Sequence, residues 1–315
     1  MTNFPVEATG LVRKFGNLTA VDQIDLAVRE GEVFGFLGPN GAGKSTTVRM
    51  LVTLLKPTAG SARVAGHDVA TEPNAVRRSI GVALQDAAID PLMTGNELLR
   101  LQAVLHGLVG KEGTQRAADL LERVGLTAAG GRRVGQYSGG MRRRLDLALA
   151  LIHRPKVLFL DEPTTGLDPT SRQAVWEEVR SLNNEGTTVF LTTQYLEEAD
   201  ELAGRIAIID DGRIVREGDP DVLKRAVGDP TLRIEVADPA MTDQARTVLS
   251  AFGETRPARA GRMAIGLRGG TESLAGVVRA MDDAGVTLGH VEVVSPSLDD
   301  VFAEATGRRL EGAAT

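Results

Sequence analysis

Gly38-Pro39-Asn40-Gly41-Ala42-Gly43-Lys44-Ser45 matches the pattern G-x-x-x-x-G-K-[ST] in full, and Thr46 follows it. The pattern suits a triphosphate, which is dense in negative charge. Gly41 and Gly43 let the backbone fold close so that its N–H groups point inward. A helix beginning near Lys44 adds the positive end of its dipole. Lys44 supplies a full charge to the β- and γ-phosphates, and the Ser45 hydroxyl is placed to ligate Mg²⁺. Downstream, the apolar run 157–160 ends in Asp161-Glu162. Asp161 at the C-terminal end of a strand is placed to hold the Mg²⁺ shell, and Glu162 to accept a proton from an attacking water. A plain Gly-rich turn with an exposed lysine is the alternative for the first motif. An apolar strand before it and a helix after it are the context a phosphate loop needs.

The elements that must position these residues alternate between strand and helix up to about Asp229. Runs 33–37, 80–84, 157–160, 188–192 and 206–209 are short and apolar, as buried parallel strands are. Residues 44–55 carry Val48, Leu51, Val52 and Leu55 at helical spacing. Such alternation predicts an α/β core. From 86 to 155 the pattern turns helical. Thr94 and Glu97 have capping-box spacing and open a helix to about His106; 115–124 and 141–152 read as two more, with a Gly- and Arg-rich loop over 127–136. A further helix, 172–182, carries Trp176 as a core or rim residue. After Asp229 the order is strand 232–236, helix 241–252, strand 254–256, strand 263–267, helix 272–284 and strand 288–294. This is the β-α-β-β-α-β arrangement of ferredoxin-like domains, followed by a last helix over 298–306. The expected domains are therefore 1–229 and 230–315.

A third motif, Tyr137-Ser138-Gly139-Gly140-Met141, lies shortly before the strand that ends in Asp161. Ser138 is a good helix N-cap, and Gly139 and Gly140 let a phosphate approach the helix end. The chain already owns one phosphate loop, so a second anion site points to a nucleotide held by a partner. With this motif in place, the sequence resembles the ABC transporter ATPase family, whose signature is usually Leu-Ser-Gly-Gly-Gln. The resemblance implies a P-loop NTPase (ABC ATPase) core with a helical insertion, ATP and Mg²⁺ as cofactors, and a head-to-tail homodimer. In that dimer each ATP lies between one phosphate loop and the other subunit's signature. The resemblance also implies that Phe15 stacks on adenine, Val21 lines the same base, Gln85 reaches Mg²⁺, and Asp168 of Gly166-Leu167-Asp168 crosses the dimer interface. A packed strand aromatic, a solvated loop glutamine and a simple turn are the plainer alternatives for Phe15, Gln85 and Asp168.

Two positions depart from the family pattern. Gln194 stands where the family has a histidine touching the γ-phosphate. Glutamine can donate to a phosphate oxygen and orient water but cannot become cationic, so this position should bring little pH dependence. Met141 replaces the signature glutamine; Arg142, Arg143 and Arg144 beside it either raise positive potential at the interface or form a solvated basic face. Tyr137 to Asp146, Thr192-Thr193-Gln194-Tyr195-Leu196-Glu197-Glu198 and the ending 296–302 resemble the daunorubicin-resistance branch. That branch implies export of a drug or lipid-like compound through a separate transmembrane permease, with the chain peripheral on the cytoplasmic face of the membrane. An importer ATPase and a non-transport ABC ATPase are the alternatives.

Composition sets the outer bounds. The 315 residues are 42% hydrophobic and 25% charged, as an ordinary globular chain is. No cysteine is present, which excludes disulfides and thiolate sites. A formal net charge of -6 with no basic stripe argues against a nucleic-acid partner. The first residues carry no signal-peptide pattern, and no apolar run approaches eighteen residues. The four histidines share no metal-like spacing.

Overall fold

The computed structural model describes residues 4–84, 89–258 and 262–308. Gln85, expected at the end of a strand, lies outside the described residues. The chain divides into two compact units, one running to Asp219 and the other beginning at Pro220.

In the first unit β1 (Val6–Phe15) and β2 (Leu18–Val28) form an antiparallel pair. β3 (Val33–Leu37) leads into α1 (Lys44–Leu51). β4 (Ala59–Val64), β5 (His67–Asp68), α2 (Pro73–Ser79) and β6 (Ile80–Ala83) follow. Next come α3 (Gly95–Leu105), α4 (Gly110–Arg123) and α5 (Gly139–Ala150), then β7 (Val157–Asp161), α6 (Pro169–Asn184) and β8 (Thr188–Thr193). α7 (Leu196–Leu202), β9 (Arg205–Asp210) and β10 (Arg213–Gly218) complete it. One sheet has the order β10-β9-β3-β8-β7-β6 and is parallel except for β10; a second, antiparallel sheet has the order β2-β1-β4-β5.

Every residue of β3, β7 and β8 is buried, so these strands read as continuous apolar runs rather than alternating ones. Their two faces still differ. Phe34, Phe36, Phe159 and Phe190 face α1 and the second sheet, and the first three rings lie 5.4–5.6 Å from Phe190. Leu158, Leu160, Val189 and Leu191 face α3, α4, α5 and α6 on the other side. The capping box expected at Thr94 is formed: the Thr94 hydroxyl accepts from the Glu97 N–H, and the Glu97 carboxylate accepts from the Thr94 N–H. α1 stops before the expected residue 55 because Thr53 turns to positive φ. The stretch expected as loop, 127–136, contains two single 3₁₀ turns. α4 opens at Gly110, ahead of the expected 115.

The second unit comprises α8 (Pro220–Val227), β11 (Thr231–Val236), α9 (Thr242–Leu249), β12 (Gly253–Arg256), β13 (Met263–Leu267), α10 (Leu274–Asp283), β14 (Leu288–Val294) and α11 (Leu298–Thr306). Its sheet is antiparallel in the order β12-β13-β11-β14. Leu232, Ile234, Leu249, Ile265, Val277 and Met281 fill its own core. The boundary expected at 229 is corrected to 219, because α8 packs with α11 and so belongs to this unit. Among the described residues no helix is long and apolar enough to cross a membrane.

Candidate functional site

The parallel strands β3, β7 and β8 lie side by side, with Leu37 opposite Thr193 and Asp161 opposite Thr192. Their C-terminal ends therefore deliver the phosphate loop, the acidic pair and Gln194 to one edge, where open α/β sheets bind ligands. Gly38 N–H donates to the Thr193 carbonyl at 3.3 Å, which ties the loop's start to the residue before Gln194. Gly41 and Gly43 both have positive φ, 83° and 107°. At Gly43 a Cβ would stand 2.5 Å from the Ala20 carbonyl, so the turn tolerates only glycine. Gly43 begins α1 without a side-chain cap or an acid in the first turn. The first N–H groups of α1 are thus left for a ligand oxygen, which is what a phosphate cradle requires. Pro39, Asn40, Ala42 and Thr46 complete the loop and first turn, with Ala42 buried and Asn40 exposed.

Lys44 is 4% exposed. Its ammonium donates to the Gly38 and Pro39 carbonyls at 2.8 and 3.1 Å and lies 3.3 Å from Glu162 Oε1. Burial lowers its pKa, and the charges of Glu162 and Asp161 oppose that shift. Ser45 Oγ donates to Asp161 Oδ1 at 3.2 Å. Two hard oxygen donors this close, beside a phosphate cradle, fit Mg²⁺. The Thr192 hydroxyl also donates to Asp161 Oδ1. Glu162 has a left-handed backbone, φ 49°, uncommon outside glycine and costing on the order of 1 kcal/mol or more. Its N–H donates to the Thr192 carbonyl at 3.0 Å and its Oε2 accepts from the Thr165 hydroxyl at 3.2 Å. Gln194 follows β8 half-buried.

The structure separates the remaining expected residues. Phe15 is 46% exposed at the end of β1 with the Arg13 guanidinium 4.5 Å above its ring, so it is not a packed core aromatic. Val21 is fully buried, and its Cγ2 lies 3.5 Å from where a Cβ on Gly43 would stand. That corrects the expectation that Val21 lines the base: it supports the loop from beneath and presents no surface. Ser138 caps α5 by accepting from the Met141 N–H at 3.2 Å. A hydroxyl that accepts in this way keeps its own proton to donate to an anion. Ser138 and Gly139 are exposed. Gly140 is buried, where a Cβ would meet Ser171 Oγ at 2.4 Å, so this glycine is needed for the approach of α5 to α6. Among the described residues the phosphate loop makes no hydrogen bond to Ser138, Gly139 or Gly140. Asp168 caps α6, accepting from the Ser171 N–H at 2.9 Å and hydroxyl at 2.6 Å, and these bonds lower its pKa.

The three arginines after Met141 do not share one role: Arg142 is exposed, while Arg143 and Arg144 are half-buried. Arg142 donates to the Tyr137 carbonyl and Arg144 to the Val124 carbonyl, at 3.0 and 2.8 Å. Arg143 turns inward and pairs with Asp146, whose carboxyl burial pushes up to about 6. Trp176 is buried, and its Nε1 donates to Glu198 at 3.1 Å, a carboxyl that also accepts from Thr164. Burial raises the Glu198 pKa. Sequence reasoning missed Thr192, Thr165 and Glu198, since nothing in their types sets them apart. A separate groove, lined by Val52, Leu54, Gln102, His106, Leu149 and His153, lies beside the end of β6.

These features have counterparts in known proteins. Residues 21–165 match the ABC transporter family model. The daunorubicin resistance ATP-binding protein DrrA2 of Streptomyces coeruleorubidus is 48% identical over 99% of this chain and 98% of its own length. The daunorubicin/doxorubicin resistance ATP-binding protein of Streptomyces peucetius is 46% identical over 98% of this chain and 94% of its own. Among solved structures, an ATP-binding subunit of an ABC transporter superposes with TM-score 0.65 at 27% identity, covering 71% of this chain and 93% of that one. A dimeric ATP-binding cassette bound to ADP and Pi gives TM-score 0.63 at 28% identity, covering 68% and 98%. The phosphate loop, the acidic pair and the serine-capped glycine helix, with similarity over the full length, establish that this chain belongs to the ABC transporter ATP-binding family, in its daunorubicin-resistance branch, and is an ATPase.

Proposed function

We propose that this chain powers export of a hydrophobic or amphiphilic compound through a separate membrane permease, working as a head-to-tail homodimer on the cytoplasmic face of the membrane. The observation that carries the reading is the division of labour within one chain. Lys44, Ser45, Asp161 and Glu162 converge on one edge, while Ser138 and Gly139 are exposed at the start of another helix with no bond to that loop. Full-length similarity to resistance proteins favours export over import.

In the proposed cycle the amides of 41–45 and the Lys44 ammonium bind the phosphates of ATP. Ser45 and Asp161 would hold Mg²⁺, which would offset phosphate charge there; Gln85 is assigned to the same shell by resemblance alone. Phe15 offers its exposed ring to the adenine. Glu162, fixed between Lys44 and Thr165, takes a proton from the attacking water. Gln194 orients that water by donating and accepting without a charge. The partner's Ser138 hydroxyl and helix dipole cap the γ-phosphate. When that phosphate leaves, the bridge between the copies is lost and they separate. The groove beside β6, with Leu54, Leu101, Val104 and Leu105 exposed near it on α3 and after α1, receives the permease and carries this motion to it.

Vesicles containing the chain and the permease encoded with it test the reading, with daunorubicin as a fluorescent probe. ATP-dependent movement of the probe from the side bearing the ATPase is expected. Movement toward that side, or hydrolysis indifferent to the permease, would overturn it.

A further inference from the structure

Arg143 has no part in the reactions above, yet it is the most heavily engaged side chain around Glu162. It is 13% exposed, on the second turn of α5, five residues after Ser138. Its Nη2 donates to the Asp161 carbonyl at 2.9 Å and its Nε to the Pro163 carbonyl at 2.8 Å. These carbonyls flank Glu162, the residue held at φ 49°. Its Nη1 donates to the Leu84 carbonyl at 2.8 Å, at the end of β6, and to Asp146 Oδ2 at 3.1 Å. A guanidinium presents its donors in a rigid planar fork, so fixing it at three carbonyls fixes the carbonyls relative to one another. Asp146, one turn further along α5, sets the fork's orientation.

We infer that Arg143 is a positioning residue for hydrolysis: it clamps the carbonyls of Asp161 and Pro163, the residues on either side of Glu162, and so holds that carboxylate where it takes the water's proton. The inference rests on the reading of Glu162 as the base. Because the clamp is mounted on α5, the helix that offers Ser138 to the partner's nucleotide also sets the geometry of the base in its own subunit. A shift of α5 when the copies close would then reach Glu162 directly, and each subunit's signature helix would report to its own catalytic carboxylate. Lysine cannot reproduce this, since one ammonium on a flexible stem cannot span carbonyls at 84, 161 and 163 together.

The test uses the full chain with its permease and compares Arg143→Lys, Glu162→Gln and the two combined. Arg143→Lys keeps the cation beside Asp146, so the chain should still fold, with its unfolding midpoint lowered by the lost carbonyl bonds and its Mg-ATP affinity near wild type. Its kcat should fall about 10- to 100-fold, as expected for a base displaced by a fraction of an ångström to an ångström. In the Glu162→Gln background the same change should alter the residual rate less than about threefold, since two residues acting as a unit do not add. Wild-type kcat in Arg143→Lys, or losses that multiply in the combined variant, would overturn the clamp. Wild-type turnover in Glu162→Gln would instead remove the base assignment beneath it. Should Arg143→Lys fail to fold, Arg143→Gln with Asp146→Asn removes the buried pair as a unit and gives the same comparison.

Discussion

At the scale of single residues, the hydrolytic edge is a set of charges whose freedom has been removed. Lys44 is buried among two carbonyls and Glu162, and Glu162 is fixed at its backbone by Thr192 and at its side chain by Thr165. An electrostatic site built this way needs little reorganisation when charge develops. Gln194 is the exception in chemical type, because its amide can donate and accept hydrogen bonds but carries no charge. Gln194→His should therefore keep turnover and add a pH dependence, with kcat falling as pH rises through about 6.5, where an unperturbed imidazole loses its proton. A pH–rate profile from about 5.5 to 8.5 reads this out, with wild type flat from this position. Complete loss of turnover in the variant would count against placing residue 194 at the γ-phosphate. The acidic pair, the phosphate loop and Ser138 were readable as residues because their types and spacing are rare. Arg143 was not: three consecutive arginines look alike in a sequence, and only their placement around α5 separates the one that reaches the Asp161 and Pro163 carbonyls from its two neighbours.

At the scale of elements, Gly140 is where two readings of one glycine part. Its Cβ position is occupied by Ser171 of α6, so the glycine serves helix packing, while the exposed Gly139 has open space before it. Gly140→Ala should destabilise the fold by about 1–3 kcal/mol through overpacking, and Ser171→Gly should restore most of that. Chemical denaturation of the two variants and their combination measures it; additive losses with no rescue would argue against the contact. The strands carrying the site were legible because β3, β7 and β8 are apolar on both faces and end in the motifs themselves. α3 was legible from Thr94 and Glu97. The start of the second unit was not. α8 is a short helix beginning at a proline, and its assignment depends on packing with α11, nearly eighty residues later, which no local pattern encodes. Val21 was expected at the base from the family resemblance, which does not carry the packing of β2 that buries it against Gly43.

At the scale of the whole molecule, stability and assembly follow from what the units bury. His153 stacks on His106 with ring centroids 3.9 Å apart, and its Nε2 meets the Ile80 carbonyl at 3.0 Å. Burial first, then the neighbouring His106 and Arg116, lower its pKa to about 4. The unfolded value is about 6.5, so the folded state prefers the neutral ring; its stabilisation is complete above about pH 6.5 and lost as pH falls toward 4. Asp146, lining the same groove and raised to about 6, acts in the opposite direction, gaining as pH falls. His153→Phe keeps a flat ring but no titration, so on going from about pH 7.5 to 5 wild type should lose of order 1 kcal/mol more than the variant, allowing for solvent screening. Identical pH dependence in thermal melts would show that the ring does not titrate on unfolding. In the proposed dimer the exposed Ser138 of one copy and the uncapped start of α1 of the other meet across a nucleotide, each supplying half of its surroundings. Sedimentation of the Glu162→Gln chain with Mg-ATP tests that most directly. A dimer is expected with ATP and a monomer with ADP, and adding Ser138→Arg should leave a monomer that still binds ATP. A Glu162→Gln chain that binds ATP and stays monomeric, or a dimer indifferent to Ser138→Arg, would contradict the shared site.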